Sequence, residues 1–133
     1  KVLKELVSRK IKLNVTAIFN IKQIVEILPI VKSSNCILSV FAGRIHDMGD
    51  DASLEINKIS KLLKRKKSNW KILWASTRQI YDLVMAKNSG CHIITMSPSI
   101  FSKLKVFKKN WKDYSLETVR SFYNDAKKSK FKI

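Results

Sequence analysis

Three short stretches of the chain carry polar residues at spacings that suit a ligand site. Asn14 and Thr16 stand two apart in the β-branched run 13–19, Ser39 and Phe41 two apart in 37–42, and Trp74 and Ser76 two apart at the end of 71–75. Side chains two apart share one face of a strand, so each pair is expected on one face, with Ile18 beyond Asn14 and Thr16. Arg44 and Arg78 follow the second and third of these runs directly. Two arginines at strand ends, beside helix N-termini, suit a phosphate or carboxylate through charge-assisted and often bidentate hydrogen bonds. The competing use of either arginine is a surface ion pair with Asp47 or Asp82.

The remaining reactive residue types offer less. Cys36 and Cys91 are expected to begin strands at the opposite rim as small buried hydrophobes, and no CxxC pair exists. His46 falls in the segment after Arg44, and His92 starts a strand away from the polar rim. Neither has a second ligand at metal spacing, so no metal centre is expected. A nucleophilic lysine must be desolvated to react at neutral pH. None of the 22 lysines falls inside a strand interior, and Lys12 and Lys71 only flank strands.

The elements that hold this rim follow from periodicity. Residues 1–9 read as the end of a helix, 13–19 as a strand, and 21–31 as a helix with Ile24, Ile27 and Leu28 on one face. A strand over 37–42 and a loop over 43–49 lead to a helix bearing Leu54, Ile59, Leu62 and Leu63. Asp50 and Asp51 suit that helix's start, and the lysines of 61–67 its end. Strand 71–75 precedes a helix over 78–88 that Gly90 stops; strand 92–96 precedes a short helix from Pro98 to about 104. Ser115 is expected to cap a final helix with Leu116, Val119, Phe122, Tyr123 and Ala126 on one stripe.

Strands alternating with helices imply a parallel sheet covered by helices. Four such units make a small doubly wound sheet or half of a (β/α)8 barrel, whose typical length of ~250 residues is nearly twice this chain. The chain opens on Lys1 within a helix pattern, which favours the half barrel and an internal piece of something longer. No linker is read before about residue 107.

Composition narrows the class further. Of 133 residues, 45% are hydrophobic, enough for a packed core. The net charge of +17 raises nucleic acid, anionic membranes and phosphorylated small molecules as partners. Lysine outnumbers arginine 22 to 5, and the basic residues are spread along the chain without interleaved aromatics. That pattern reads as solvated faces rather than a nucleic-acid footprint. No apolar run approaches the ~18 residues of a membrane span, and no signal peptide opens the chain. A soluble cytoplasmic domain is expected. A small basic α/β module, nucleic-acid-binding or structural and without catalysis, is the alternative class.

The stretches 13–19 (LNVTAIF), 39–49 (SVFAGRIHDMG) and 74–78 (WASTR), with 93–98 (IITMSP) after them, resemble the transaldolase family, including the related fructose-6-phosphate aldolases, in the family's order. The resemblance runs over about residues 1–126 and implies the second half, strands five to eight, of a (β/α)8 TIM barrel. On that basis residues 1–106 form the barrel units, and 107–133 a linker and C-terminal extra helix. The resemblance implies carbohydrate metabolism in the pentose phosphate pathway. The reaction transfers or cleaves a dihydroxyacetone unit of a ketose phosphate through a lysine Schiff base, with no cofactor. Asn14 and Thr16 then match supporting catalytic residues around the water and substrate. Ser39 and Phe41 match residues lining the sugar, and Arg44, Ser76 and Arg78 match the phosphate end. Phe41 leaves transaldolase and simple aldolase open, since Tyr at this place is the aldolase-like variant. The family's Schiff-base lysine would lie before residue 1, so this segment alone is expected to be inactive. The resemblance also implies phosphorylated sugars as partners and a homo-oligomer formed through the C-terminal helix.

Overall fold

A computed structural model describes residues 2–31 and 35–129. The chain divides into two compact units between Ser102 and Lys103. The first begins with α1 (Val2–Ser8), β1 (Leu13–Ile18), α2 (Ile21–Val31) and β2 (Cys36–Val40). It continues through α3 (Ala42–Asp47), α4 (Ala52–Arg65), β3 (Lys71–Trp74), α5 (Tyr81–Ser89), β4 (Ile93–Ile94) and α6 (Pro98–Ser102).

The four strands form one sheet in the order β1-β2-β3-β4. Every pairing is parallel, with Leu13 opposite Cys36, Leu38 opposite Ile72, and Leu73 opposite Ile93. Alternation assigns the two faces. Leu13, Leu38, Val40, Ile72 and Trp74 join Ile24 and Val31 of α2, Ile56 and Ile59 of α4, and Ala86 of α5 in one core. Asn14, Ser39 and Leu73, on the other face, lie outside that core. A one-sided helical cover over consecutive parallel strands is the arrangement of part of a (β/α)8 barrel.

Local chemistry explains most element ends. The Asp51 carboxylate accepts the Ser53 N–H at 2.8 Å and caps α4. Lys64 and Arg65 sit in its last turn against the negative end of the helix dipole. Gly90 ends α5 at φ 91, the left-handed conformation that glycine adopts at little cost.

The structure corrects several expectations. Residues 42–47 form α3, replacing the expected strand end at Ala42 and most of the expected loop over 43–49, because Ala42, Gly43 and Ile45 are buried and Phe41 O accepts the N–H groups of Arg44 and Ile45. Strand β1 carries a bulge, its register slipping between Val15 and Ile18. The extra residue turns Ile18 into the core, 2% exposed, while Asn14 and Thr16 stay exposed. Ile18 therefore does not share their face. Helix α5 starts at Tyr81 rather than residue 78, and β4 spans two residues rather than five.

The second unit holds a 3-10 turn (Lys103–Val106) and α7 (Trp111–Ser129). Asn110, not Ser115, caps α7: its Oδ1 accepts the N–H groups of Lys112 and Asp113 at 2.9 and 3.3 Å. Ser115 lies inside the helix. Among the described residues no helix is long and apolar enough to cross a membrane.

Candidate functional site

The C-terminal ends of β1, β2 and β3 gather most of the candidate residues. In parallel α/β sheets this is the end where ligands bind, because loops and helix N-termini leave the sheet there. Asn14 and Ser39, on neighbouring strands, are joined directly: Ser39 Oγ donates to Asn14 Oδ1 at 2.7 Å. Ser39 is buried, 4% exposed, so its hydroxyl is held in one orientation and fixes the exposed amide. Thr16 stands exposed where β1 bulges, next to Ala17 at φ 58. A bulge and a left-handed alanine re-aim side chains at this strand end, a form of strain that collects at functional sites.

Phe41 follows β2 and is half-buried, with its ring 6.1 Å from that of Phe19. The Arg44 guanidinium lies 5.3 Å from the Phe41 ring centroid, a cation–π distance. Arg44 has no carboxylate partner among the described residues. Arg78 does have one. Its Nη2 donates to Asp47 Oδ2 at 2.5 Å, and both side chains are about half exposed. Asp82 plays a different part from the ion pair anticipated for it. Its buried carboxylate accepts the backbone N–H groups of Arg78 and Gln79 at 2.7 and 3.4 Å, fixing the turn that leads into α5.

Ser76 adopts φ 63, so strand alternation ends before it. Trp74 does not share its face at the rim: Trp74 is fully buried in the helix-covered core. There it meets the edge of His46, ring centroids 5.6 Å apart, and neither His46 Nε2 nor Trp74 Nε1 has a hydrogen-bond partner among the described residues. His46 thus belongs to the packing beneath the rim, in α3 rather than in a loop. Thr77 donates its hydroxyl to the Thr95 carbonyl, tying the end of β3 to the segment after β4.

The opposite end of the sheet is chemically separate. Cys36 is buried, Cys91 half-buried, and burial pushes both thiols up, Cys91 to about 11. Thiols held protonated in this way are poor nucleophiles. Cys91 lies before β4 rather than in it. His92 Nδ1 accepts the Ile72 N–H at 3.0 Å. Lys71, the first residue of β3, is exposed at this same end.

The sequence offered Asp47 as an ion-pair partner of the arginines, and Arg78 takes it. It did not show the backbone-holding role of Asp82 or Gly43 as the point where α3 closes on β3.

A family model described as Transaldolase/Fructose-6-phosphate aldolase matches residues 1–133. The chain belongs to that family. A probable transaldolase 2 of Listeria monocytogenes is 33% identical over 125 residues, covering 86% of this chain and 56% of that protein. A probable transaldolase of Herpetosiphon aurantiacus is 32% identical over 104 residues, covering 78% and 46%. One of Streptococcus pyogenes is 29% identical over 114 residues, covering 78% and 52%. The chain spans about half the length of the curated relatives it matches. Membership of the transaldolase and fructose-6-phosphate aldolase family agrees with the parallel α/β sheet.

Proposed function

We propose that this segment supplies the substrate-binding rim of a Schiff-base aldolase, transferring or cleaving a dihydroxyacetone unit of a ketose phosphate. The observation that carries the reading is the placing of Thr16, Ser39, Arg44 and Arg78 towards or just after the C-terminal ends of three adjacent parallel strands, with Asn14, near the start of β1, tied to Ser39 by a hydrogen bond. Arg44 and Arg78 bind the sugar phosphate, with Ser76 beside them. Ser39 and Phe41 line the sugar chain. Asn14 and Thr16 orient the water that is lost when the imine forms and returns when it hydrolyses. The barrel half is strands five to eight, over residues 1–106, with 107–133 as linker and tail. A cytoplasmic enzyme of sugar-phosphate metabolism, with no cofactor, is the setting that follows. Transfer to an aldose phosphate and simple cleavage remain two forms of one chemistry, with Phe41 at the position that distinguishes them.

The nucleophile is a lysine outside residues 1–133. Every described lysine is exposed except the half-buried Lys109, and Lys71, which begins β3, is at the wrong end of its strand. A nucleophilic amine must be desolvated to attack a carbonyl, and a water-exposed lysine lacks that environment. Borohydride reduction of the full-length protein with fructose 6-phosphate, followed by peptide mapping, tests this. The adduct is expected on a lysine outside this segment. An adduct on any lysine within it overturns the assignment.

A further inference from the structure

Arg78 is anchored at both ends. Its backbone N–H is held by the buried Asp82, and its guanidinium by Asp47 of α3, 31 residues earlier in the chain. Phe41, Arg44 and Asp47 recur at intervals of three, the spacing that brings helical side chains to the same side. The Arg44 guanidinium lies over Phe41 on that side. Asp47 therefore ties the arginine that follows β3 to the helix that bears the arginine following β2.

The ion pair leaves Arg78 usable. A guanidinium carries five N–H donors in a planar fork, and Asp47 engages Nη2 alone. The carboxylate also offsets the repulsion of gathering two cations at one rim. Gly43 allows the approach: a Cβ there would stand 3.1 Å from Arg78 Cγ and far inside van der Waals distance of the Ser76 carbonyl.

We propose that Asp47 is a positioning residue for anion recognition, holding the Arg78 fork beside Arg44 so that both arginines meet one phosphate group. This rests on the reading that Arg44 and Arg78 bind the substrate phosphate. The sign of the effect separates positioning from charge. Coulomb's law alone says that removing a carboxylate from an anion site tightens anion binding. Positioning says that the same change weakens it.

Calorimetric titration of inorganic phosphate into the full-length protein at low salt decides. Asp47→Ala and the isosteric Asp47→Asn are expected to weaken phosphate roughly 5- to 20-fold, within the range for coupled neighbouring side chains. Asp47→Glu is expected to recover most of that affinity. In an Arg78→Ala background, Asp47→Ala is expected to shift the affinity by less than about twofold. Equal or tighter binding by Asp47→Ala and Asp47→Asn overturns the proposal, as does an equal weakening in both backgrounds. Unchanged affinity in Arg78→Ala alone overturns the phosphate reading and the role of Asp47 with it. Melting curves confirm that each variant is folded, and Asp47→Asn carries the test if the alanine variant is not.

Discussion

The carbonyl oxygen of Ser76 occupies the place where a side chain on Gly43 would begin, 1.6 Å from the position of an added Cβ. Gly43 is buried in the first turn of α3, and its N–H faces the Ala75 carbonyl at 3.4 Å. Helix α3 therefore lies backbone against backbone on the end of β3, and this close approach sets the two arginines. Because the obstruction is main chain, no side-chain rotation relieves it.

Gly43→Ala is expected to destabilise the protein by about 1–3 kcal/mol, the usual cost of overpacking, or more if β3 resists moving. Urea denaturation of the full-length protein measures it. An unchanged midpoint would mean that α3 is free to retreat from Ser76, and phosphate affinity would then decide whether the site tolerates the shift.

Arg44→Ala and Arg78→Ala are expected to act on phosphorylated substrates. Removing one charge-assisted hydrogen bond costs ~1.5–3 kcal/mol, or roughly 10- to 150-fold in kcat/KM. Turnover with an unphosphorylated ketose, such as dihydroxyacetone as donor, should change far less. Equal reductions on both substrate types would make the arginines structural.

The order of elements was legible because each buried face repeats. Ile24, Ile27 and Leu28 announce α2, Asp51 and the 61–67 lysines bracket α4, and Gly90 marks the end of α5. Local pattern failed where tertiary packing overrides it. Helix α3 has no side-chain cap and contains a glycine, and its first turn is buried against the end of β3. The β1 bulge inserts one residue and reverses the face of Ile18, which no period of two can show. Asp82 appeared as an arginine partner by spacing, but spacing cannot tell a side-chain ion pair from a carboxylate that accepts backbone N–H groups. The residue types of the site were visible; which of them touch was not.

His92 gives a prediction in pH. Accepting the Ile72 N–H at Nδ1 requires the neutral ring. Partial burial, then the charges of Lys71 and Lys64, hold its pKa below the ordinary value of 6.5. The unfolded chain therefore takes up the proton first as pH falls, and the native state loses stability from about pH 6.5 downward until the folded imidazole titrates too. His92→Asn, whose amide oxygen can accept the same N–H, should flatten this part of the curve. Melting midpoints of both proteins between about pH 7.5 and 5.5 measure it, and identical slopes would assign the effect to other groups.

The tail supplies the last prediction. Helix α7 runs 19 residues and leaves Trp111 91% exposed and Phe122 69% exposed, with Leu116, Val119 and Tyr123 also open. Contiguous exposed apolar surface of this kind marks an interaction site. The apolar residues repeat at three- and four-residue intervals, as on a helix packed along one side. Its polar side carries Glu117, Arg120, Asp125 and Lys127, which suits a helix lying on a surface rather than inside one. A second copy of the chain is the occupant expected here. Deleting residues 115–133 from the full-length protein should lower the oligomer mass measured by light scattering. Phe122→Glu should do the same while leaving the helix intact, since one exposed substitution costs little helix propensity. An unchanged mass in both variants, or a monomer before and after, would mean that α7 does not hold subunits together.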